Sequence, residues 1–363
     1  MKVLSVFDGI SCGMMAFRKA GVHVEEYHAF EIDPHAVRCS QHNYPEIIRH
    51  GDGDVFKADF RQFKDVDFLI GGSPCTYWSV AQKKDVRETE AHGMGWELFQ
   101  QYVRALREAK PKYFIYENNR SMAPAIKKEI SETFGFGPVM INSALVSAQN
   151  RERYYWVGRR MDDGSYAKVK VEQPEDMHLV LKDVLDSGYA DRDKGHAVIA
   201  SAGRTTYREY FLKNQGNVAL ESALSNIVPV GDTQDNKSCT IKAQYYKNNV
   251  ANFITNGKYN ATGVAEGSLT DSEKKIYDVK DGMITIKGKQ YPIKLPDGSY
   301  IIRKLSVDEC KRLQTIPEDY DMKVISNTQA YKCIGNGWTV NVIVHLIQSA
   351  LRGDTDAVQT RFD

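Results

Sequence analysis

A cysteine on a glycine- and proline-bearing turn and a glutamate at the end of an aromatic run are the residues of this chain best suited to covalent chemistry. Gly71-Gly72-Ser73-Pro74-Cys75 directly follows the apolar run Phe68-Leu69-Ile70, and Tyr113-Phe114-Ile115-Tyr116 leads into Glu117-Asn118. If both runs are strands of one parallel sheet, thiol and carboxylate arrive at the same edge. A thiolate that attacks an electron-poor ring needs an acid to take up the charge developing on that ring, so the two make a coherent pair. Taken alone, Cys75 also reads as a small buried hydrophobe, the commonest role of a free cysteine. In Ser147-Ala148-Gln149-Asn150-Arg151-Glu152-Arg153-Tyr154-Tyr155-Trp156, two arginines stand two residues apart in an extended segment. They therefore share a face, where their guanidinium forks could hold a carbonyl oxygen or a phosphate; an exposed charged strand has the same pattern.

Phe7-Asp8-Gly9-Ile10-Ser11-Cys12-Gly13 is a third candidate. Its glycines let a backbone loop approach a ligand, and a helix start behind it offers free amides, although a tight turn without a ligand needs glycine equally. The segment is not GxGxxG, which disfavours a nicotinamide dinucleotide. Glu31 ends the next apolar run, where a carboxylate can accept two hydrogen bonds from a ribose diol, and Asp59 precedes another. Each acid taken singly also reads as a solvated cap.

The elements that would position these residues alternate. Val3-Leu4-Ser5-Val6-Phe7 predicts a strand, 13–20 a helix, Tyr27-His28-Ala29-Phe30 a strand, and Pro34 the first turn of a second helix. Val66-Asp67-Phe68-Leu69-Ile70 is the next strand. Trp96, Phe99, Val103 and Leu106 mark one helical face ending before Pro111, and Tyr113 opens a further strand. This alternation predicts a parallel sheet covered by helices, with ligands at the carboxyl ends of its strands. From about Asp162 the helical period weakens and short alternating runs such as Met283-Ile284-Thr285-Ile286 predict hairpin strands in a second, more irregular lobe. A helical pattern returns after Glu309 and ends over 340–351, expected to rejoin the first lobe; the last dozen residues are expected to fray.

Composition sets the outer limits. The 363 residues are 42% hydrophobic, enough for two lobes with substantial cores. No stretch approaches the roughly 18 uncharged apolar residues of a membrane span, and Met1-Lys2-Val3-Leu4 runs into a strand pattern instead of a signal peptide, so neither a membrane nor a secreted protein is expected. Six cysteines without a CxxC pair argue against a zinc site and a disulfide framework and for reduced thiols. A net charge of +1 means that a polyanionic partner must be held by a local patch.

Phe7-Asp8-Gly9, Glu31, Asp59, Pro74-Cys75, Glu117-Asn118, 149–153 and Gly335-Asn336-Gly337 occur in the order of the cytosine-5 DNA methyltransferases, which the chain resembles over nearly its whole length. Gly71-Gly72-Ser73-Pro74-Cys75 and Pro138-Val139-Met140-Ile141 look like the vertebrate de novo enzymes, whereas the compact length looks like a bacterial or phage enzyme. The resemblance implies a Rossmann-like α/β fold dependent on S-adenosylmethionine: a catalytic part at 1–170, an inserted β-containing target-recognition lobe at 171–310, and a C-terminal segment at 311–363 that completes the catalytic domain. It implies that Phe7, Asp8, Gly9 and Ile10 line the cofactor, that Glu31 takes its ribose, that Ile32 packs on the adenine and that Asp59 and Phe60 flank the adenine edge. Pro74, Leu98, Asn336 and Trp338 match further cofactor positions. Cys75 matches the nucleophile, Glu117 the acid at ring nitrogen 3, and Arg153 the contact to the cytosine carbonyl with Arg151 close by. Asn119 replaces the family's usual valine after Glu117-Asn118, Asn150 and Glu152 vary the Gln149 motif, and Gly337-Trp338 replaces a small residue and valine.

The implied partner is double-stranded DNA, bound by a monomer in the cytoplasm of a bacterial cell or phage-infected host, with a cognate restriction endonuclease left open. Between 237 and 294 ten lysines face five acids, about +5 locally. Lysines suit phosphates and asparagines base edges, and although a solvated loop surface has the same composition, the resemblance places target recognition here, which makes Lys242, Lys247, Asn248 and Asn249, with Gln149, the expected DNA contacts. A transfer-RNA methyltransferase of the same fold and a catalytically silent DNA-binding relative remain alternatives at this stage.

Overall fold

The computed structural model describes residues 1–79, 87–222, 227–229, 253–255, 258–259, 265–266, 276–353 and 355–360. Lys242, Lys247, Asn248 and Asn249 lie outside the described residues. Contacts divide the chain into two units. The first comprises Met1–Val180, Lys194–Gly203 and Ser306–Asp363; the second comprises Leu181–Asp193 and Arg204–Leu305. This division puts 171–180, 194–203 and 306–310, which the sequence reading gave to the inserted lobe, in the first unit.

In the first unit β1 (Lys2–Val6), α1 (Cys12–Lys19), β2 (Glu26–Phe30) and α2 (Pro34–Asn43) alternate as expected, and a two-residue strand that was not expected, β3 (Ile48–Arg49), follows. They are followed by β4 (Phe68–Gly71), α3 (Gly93–Ala109), β5 (Tyr113–Asn119), α4 (Pro124–Phe134), β6 (Val139–Asn142), β7 (Gln149–Asn150), β8 (Glu152–Arg160) and β9 (Tyr166–Val169). α2 starts where the chain dictates, with Pro34 in its first turn and the Asp33 carboxylate accepting from the His35 amide at 2.9 Å. α3 stops at Lys110, which adopts a left-handed conformation ahead of Pro111. Its Phe99, Tyr102, Val103 and Leu106 are fully buried with Tyr116, Phe134 and Trp156 in one core.

β1 pairs in parallel with β2 on one side and β4 on the other, and β4 pairs in parallel with β5. Chain order therefore reverses between β1 and β4, and the loops leaving their carboxyl ends open a crevice there. Beyond β5 the sheet turns antiparallel through β8 and β9, with β6 also on β8. The strand Thr355–Thr360 adds antiparallel to β9, where fraying was expected. Three helices complete this unit: α5 (Val307–Leu313), opened by the Ser306 and Glu309 capping box, α6 (Asn327–Asn336) and α7 (Val340–Arg352).

The second unit holds a five-stranded antiparallel sheet around Tyr210, Val218, Leu220, Val279, Ile284 and Ile286. The expected hairpin is present: Met283–Ile286 pairs with Ile276–Lys280 and with Lys289–Pro292. Both connections are two-residue turns with positive φ, Asp281-Gly282 and Lys287-Gly288, as the twist of a tight hairpin requires. No described helix is long and apolar enough to cross a membrane.

Candidate active site

The loop after β1 is built around a buried carboxylate. Phe7, Gly9 and Ser11 all have φ near 59°, and Asp8 accepts hydrogen bonds from Ser5 Oγ at 2.6 Å, Ser11 Oγ at 2.5 Å and Tyr27 Oη at 2.7 Å. Burial pushes the Asp8 carboxyl above its ordinary range while the three hydroxyl donors oppose the shift. With its oxygens so engaged, Asp8 shapes the loop instead of offering itself to a ligand. The loop's Gly9 amide donates to Glu31 Oε2 at 2.7 Å, and the Asp33 amide to Oε1 at 2.8 Å. Glu31 is thereby locked at the end of β2 with lone pairs to spare, and burial raises its proton affinity.

The loop after β4 presents the thiol. Five described cysteines are free, and only Cys75 among them is exposed, at the start of a single turn, Cys75–Tyr77. The Cys75 carbonyl accepts from the Trp78 and Ser79 amides, both at 3.0 Å. Trp78 is an anchor that the sequence did not reveal: it is fully buried and its Nε1 donates to Glu88 Oε2 at 3.0 Å. Ser73 Oγ lies 2.7 Å from Tyr116 Oη, and Asn118 Nδ2 donates to the Ser73 carbonyl at 3.1 Å, which fastens the turn to β5. Gly72 has to be glycine, since a Cβ there would lie 2.8 Å from the carbonyl oxygen and from Oε2 of Glu117.

Glu117, on β5, receives a donor on each carboxylate oxygen. Arg153 Nε is 3.1 Å from Oε1, and Trp338 Nε1 donates to Oε2 at 3.0 Å. Trp338 belongs to the 335–338 segment, in which α6 ends and the chain turns. That turn is held from beneath by Arg151, whose Nη2 donates to the carbonyls of Gly335 (3.1 Å) and Gly337 (2.8 Å) and whose Nη1 donates to that of Val198 (2.8 Å). Burial pulls the Arg151 proton affinity down to about 10, which leaves the group charged at neutral pH. Gly335 allows this approach, because a Cβ there would lie 2.2 Å from the Ile199 carbonyl carbon.

These residues meet in a cavity of about 200 Å3 lined by Phe7, Gly9, Ile10, Glu31, Pro74, Cys75, Glu117, Arg151, Arg153, Asn336 and Trp338. Gly9 and Glu31 also border a neighbouring cavity of about 390 Å3, which Asp8 and Ile32 line. Ile32 is 71% exposed, an apolar side chain available to a flat ligand. Asp59, Phe60 and Leu98 line neither cavity. The Asp59 carboxylate caps its own turn and pairs with Arg61 Nε at 2.8 Å. Phe60 is buried beneath the Arg104 guanidinium, and Leu98 packs on the core.

Two expected contacts need correction. Arg151 shares the cavity wall with Arg153 but spends its donors on three backbone carbonyls, so it positions the 335–338 turn and does not reach out to a substrate. Gln149, expected on DNA, is wholly buried. Its amide donates to the Leu313 carbonyl and to Gln314 Oε1, and its Oε1 accepts from the Val198 amide at 2.9 Å. Gln314 in turn donates to the carbonyls of Ile334 (2.8 Å) and Gly337 (3.1 Å), so Gln149 braces the same turn.

The chain matches the family described as C-5 cytosine-specific DNA methylase over residues 1–352. Among curated relatives it is 27% identical to the orphan methyltransferase M.SPRI of Bacillus phage SPR, over 97% of each chain. It is also 27% identical to the type II methyltransferase M1.ScrFI of Lactococcus lactis subsp. cremoris, over 96% of this chain and 78% of the relative. Among solved structures, the Entamoeba histolytica methyltransferase EhMeth shares the fold at a TM-score of 0.58 and 11% identity, covering 97% of this chain and 98% of that one. The S. pombe Dnmt2 methyltransferase shares it at 0.55 and 13%, covering 97% and 98%. With its residues 1–352 matched in this way, the chain belongs to the C-5 cytosine-specific DNA methylase family.

Proposed function

We propose that this protein transfers a methyl group from S-adenosylmethionine to carbon 5 of a cytosine flipped out of duplex DNA. The observation that carries the reading is the gathering of an exposed thiol, a doubly held carboxylate and a guanidinium, Cys75, Glu117 and Arg153, in one cavity that continues to Glu31. The residues fit the cofactor: Gly9 lies against a carboxylate suited to a ribose diol, Ile32 offers an exposed apolar face, and the absence of a Cβ at Gly72 leaves the passage beside Glu117 open. Phe7, Ile10, Glu31, Ile32, Pro74, Asn336 and Trp338 would hold it, and when bound it supplies an electrophilic sulfonium methyl group.

Cytosine carbon 5 is too weak a nucleophile by itself. The Cys75 thiolate forms a bond to carbon 6, and the electron pair displaced toward ring nitrogen 3 is supported there by Glu117, which makes carbon 5 an enamine carbon able to take the methyl group. Arg153 steadies the Glu117 carboxyl and stands ready for the ring carbonyl. Loss of the carbon 5 proton then returns its bonding pair to the ring and expels Cys75 as thiolate. Because a stacked base hides both faces, the cytosine must leave the duplex, at a cost of a few kcal/mol. The lysine excess of 237–294 supports a role for that segment in holding and reading the DNA.

Tritiated methyl transfer to duplex DNA, to transfer RNA and without substrate tests the reading. Label is expected in duplex DNA only. Cys75→Ala is expected to abolish transfer while cofactor affinity stays near that of the wild type, and duplexes carrying 5-fluorocytosine are expected to trap the wild type covalently, since fluorine cannot leave as a proton. Turnover by Cys75→Ala, or label in transfer RNA alone, would overturn it.

A further inference from the structure

The last residue of β5 carries a polar group with nothing to bond. Asn119 is only 5% exposed, its Oδ1 accepts from Ser121 Oγ at 2.7 Å, and its buried Nδ2 has no partner among the described residues. A buried amide donor left unpaired costs free energy in the resting protein, and such a group calls for a ligand that satisfies it. Asn119 lines a cavity of about 400 Å3 together with Arg120, Asn150, Glu152 and Arg153, and this cavity shares Arg151 and Arg153 with the catalytic one. In the β5–β8 register Asn119 stands directly across from Arg153. It is two residues beyond Glu117 on the same strand and therefore faces the same side. The charged groups on the cavity wall are Arg120, Arg151 and Arg153 against Glu152 alone, so the wall is net positive.

We infer that this cavity is a subsite for an anionic oxygen, a phosphate of the target nucleotide's backbone, with Asn119 Nδ2 as its buried donor and Arg120 at its rim. The inference rests on the proposed docking of the target base against Glu117. A nucleotide whose base is held there extends its sugar and phosphate along the face that Asn119 continues. Arg120, paired with Glu152 at the half-exposed rim, contributes positive charge without closing the cavity. Valine, the residue that the family resemblance leads one to expect at this position, offers no donor, so the subsite belongs to this chain's own substitution.

The test uses a duplex that the wild type has been shown to methylate, with S-adenosylhomocysteine present and fluorescence anisotropy as the readout. Asn119→Asp keeps the size and the acceptor for Ser121 but exchanges the donor for an anionic oxygen, and is expected to weaken binding tenfold or more. Asn119→Val, which removes the orphaned donor, is expected to melt no lower than the wild type as a free protein and to bind the duplex about tenfold more weakly. Neutral methylphosphonates replacing the phosphates around the target cytosine one at a time are expected to cost the wild type about tenfold at one position and to cost Asn119→Val severalfold less there, the remainder being the charge of Arg120 and its neighbours. Unchanged affinity in both variants, or a methylphosphonate penalty that Asn119→Val shows in full at every position, overturns the subsite. Those results alongside normal wild-type methylation remove the subsite alone, whereas a wild type that methylates no duplex removes the base-docking reading first.

Discussion

Arg151 and Arg153 are two residues apart, yet replacing them should have different consequences. The Arg151 guanidinium is buried and bonds three carbonyls, those of Val198, Gly335 and Gly337. In Arg151→Met the Gly337 carbonyl keeps its bond from Gln314, which leaves those of Val198 and Gly335 without this donor. Each buried acceptor stripped of its donor costs about 1–3 kcal/mol, and removing a buried charge returns part of that by sparing its desolvation. A net destabilisation of about 2–4 kcal/mol follows. Arg151→Lys should fall between, since an ammonium cannot span three carbonyls with the geometry of a planar fork. Arg153→Met loses the ion pair to Glu117 and a bond to the Glu152 carbonyl, and, because Glu117 keeps its bond from Trp338 and lines the cavity, should cost less stability than Arg151→Met while removing most activity. Urea unfolding at neutral pH, read beside methyl transfer, separates the two. Should Arg151→Met unfold at the wild-type midpoint and lose only kcat, the guanidinium would have to act on substrate, and its assignment to the 335–338 turn would be wrong.

Two further outcomes follow from the same geometry. In the proposed role Glu31 is ionised and accepts from two ribose hydroxyls, and burial has raised its proton affinity above the ordinary 4.5. Cofactor affinity should therefore be intact at neutral pH and fall on acidification, starting at a higher pH than an unshifted glutamate would give; Glu31→Gln should bind more weakly and show no such decline in calorimetry across that window. Trp338→Phe keeps the ring and removes the N–H that reaches Glu117 Oε2, so kcat should drop about tenfold with little change in KM for DNA. In a Glu117→Gln background the same change should cost far less, because the two residues act as a pair; full additivity in that cycle would refute the coupling.

The order of strands and helices was legible because period 2 and period 3.6 are local signals, and Pro34, Pro111 and the Asp281-Gly282 and Lys287-Gly288 turns punctuate them. Cys75 and Glu117 were legible for a related reason: each ends an apolar run, and a parallel sheet delivers strand ends to one edge. Which face of a segment is buried was not legible where polar residues serve the interior. Gln149 and Arg151 look in sequence like a surface pattern, since nothing local shows that they bond the main chain at Val198 and main-chain carbonyls more than 160 residues further on. Asp59 looked like a ligand-binding acid because its local pattern is equally that of a self-capping turn. Trp338 was visible as a substitution, whereas its bond to Glu117 depends on a turn that only the packed C-terminal segment provides.

That dependence says how the site assembles. Cys75 and Glu117 come from adjacent parallel strands and are in place once β4 and β5 pair, but the second donor to Glu117 arrives with the 335–338 turn. The turn is fixed by groups from three separate stretches: Arg151 at the start of β8, Gln149 in β7 acting through Gln314, and the 198–200 backbone packed on Gly335. These bonds come from outside the segment and add to the local ones that end α6, where the Gly337 amide donates to the carbonyls of Cys333 (3.0 Å) and Ile334 (3.1 Å). The Glu117 carboxylate is thus held in part by a residue of the C-terminal segment, Trp338. The carboxylate that shares a cavity with Cys75 therefore draws its two partners, Arg153 and Trp338, from β8 and from the segment that follows α6.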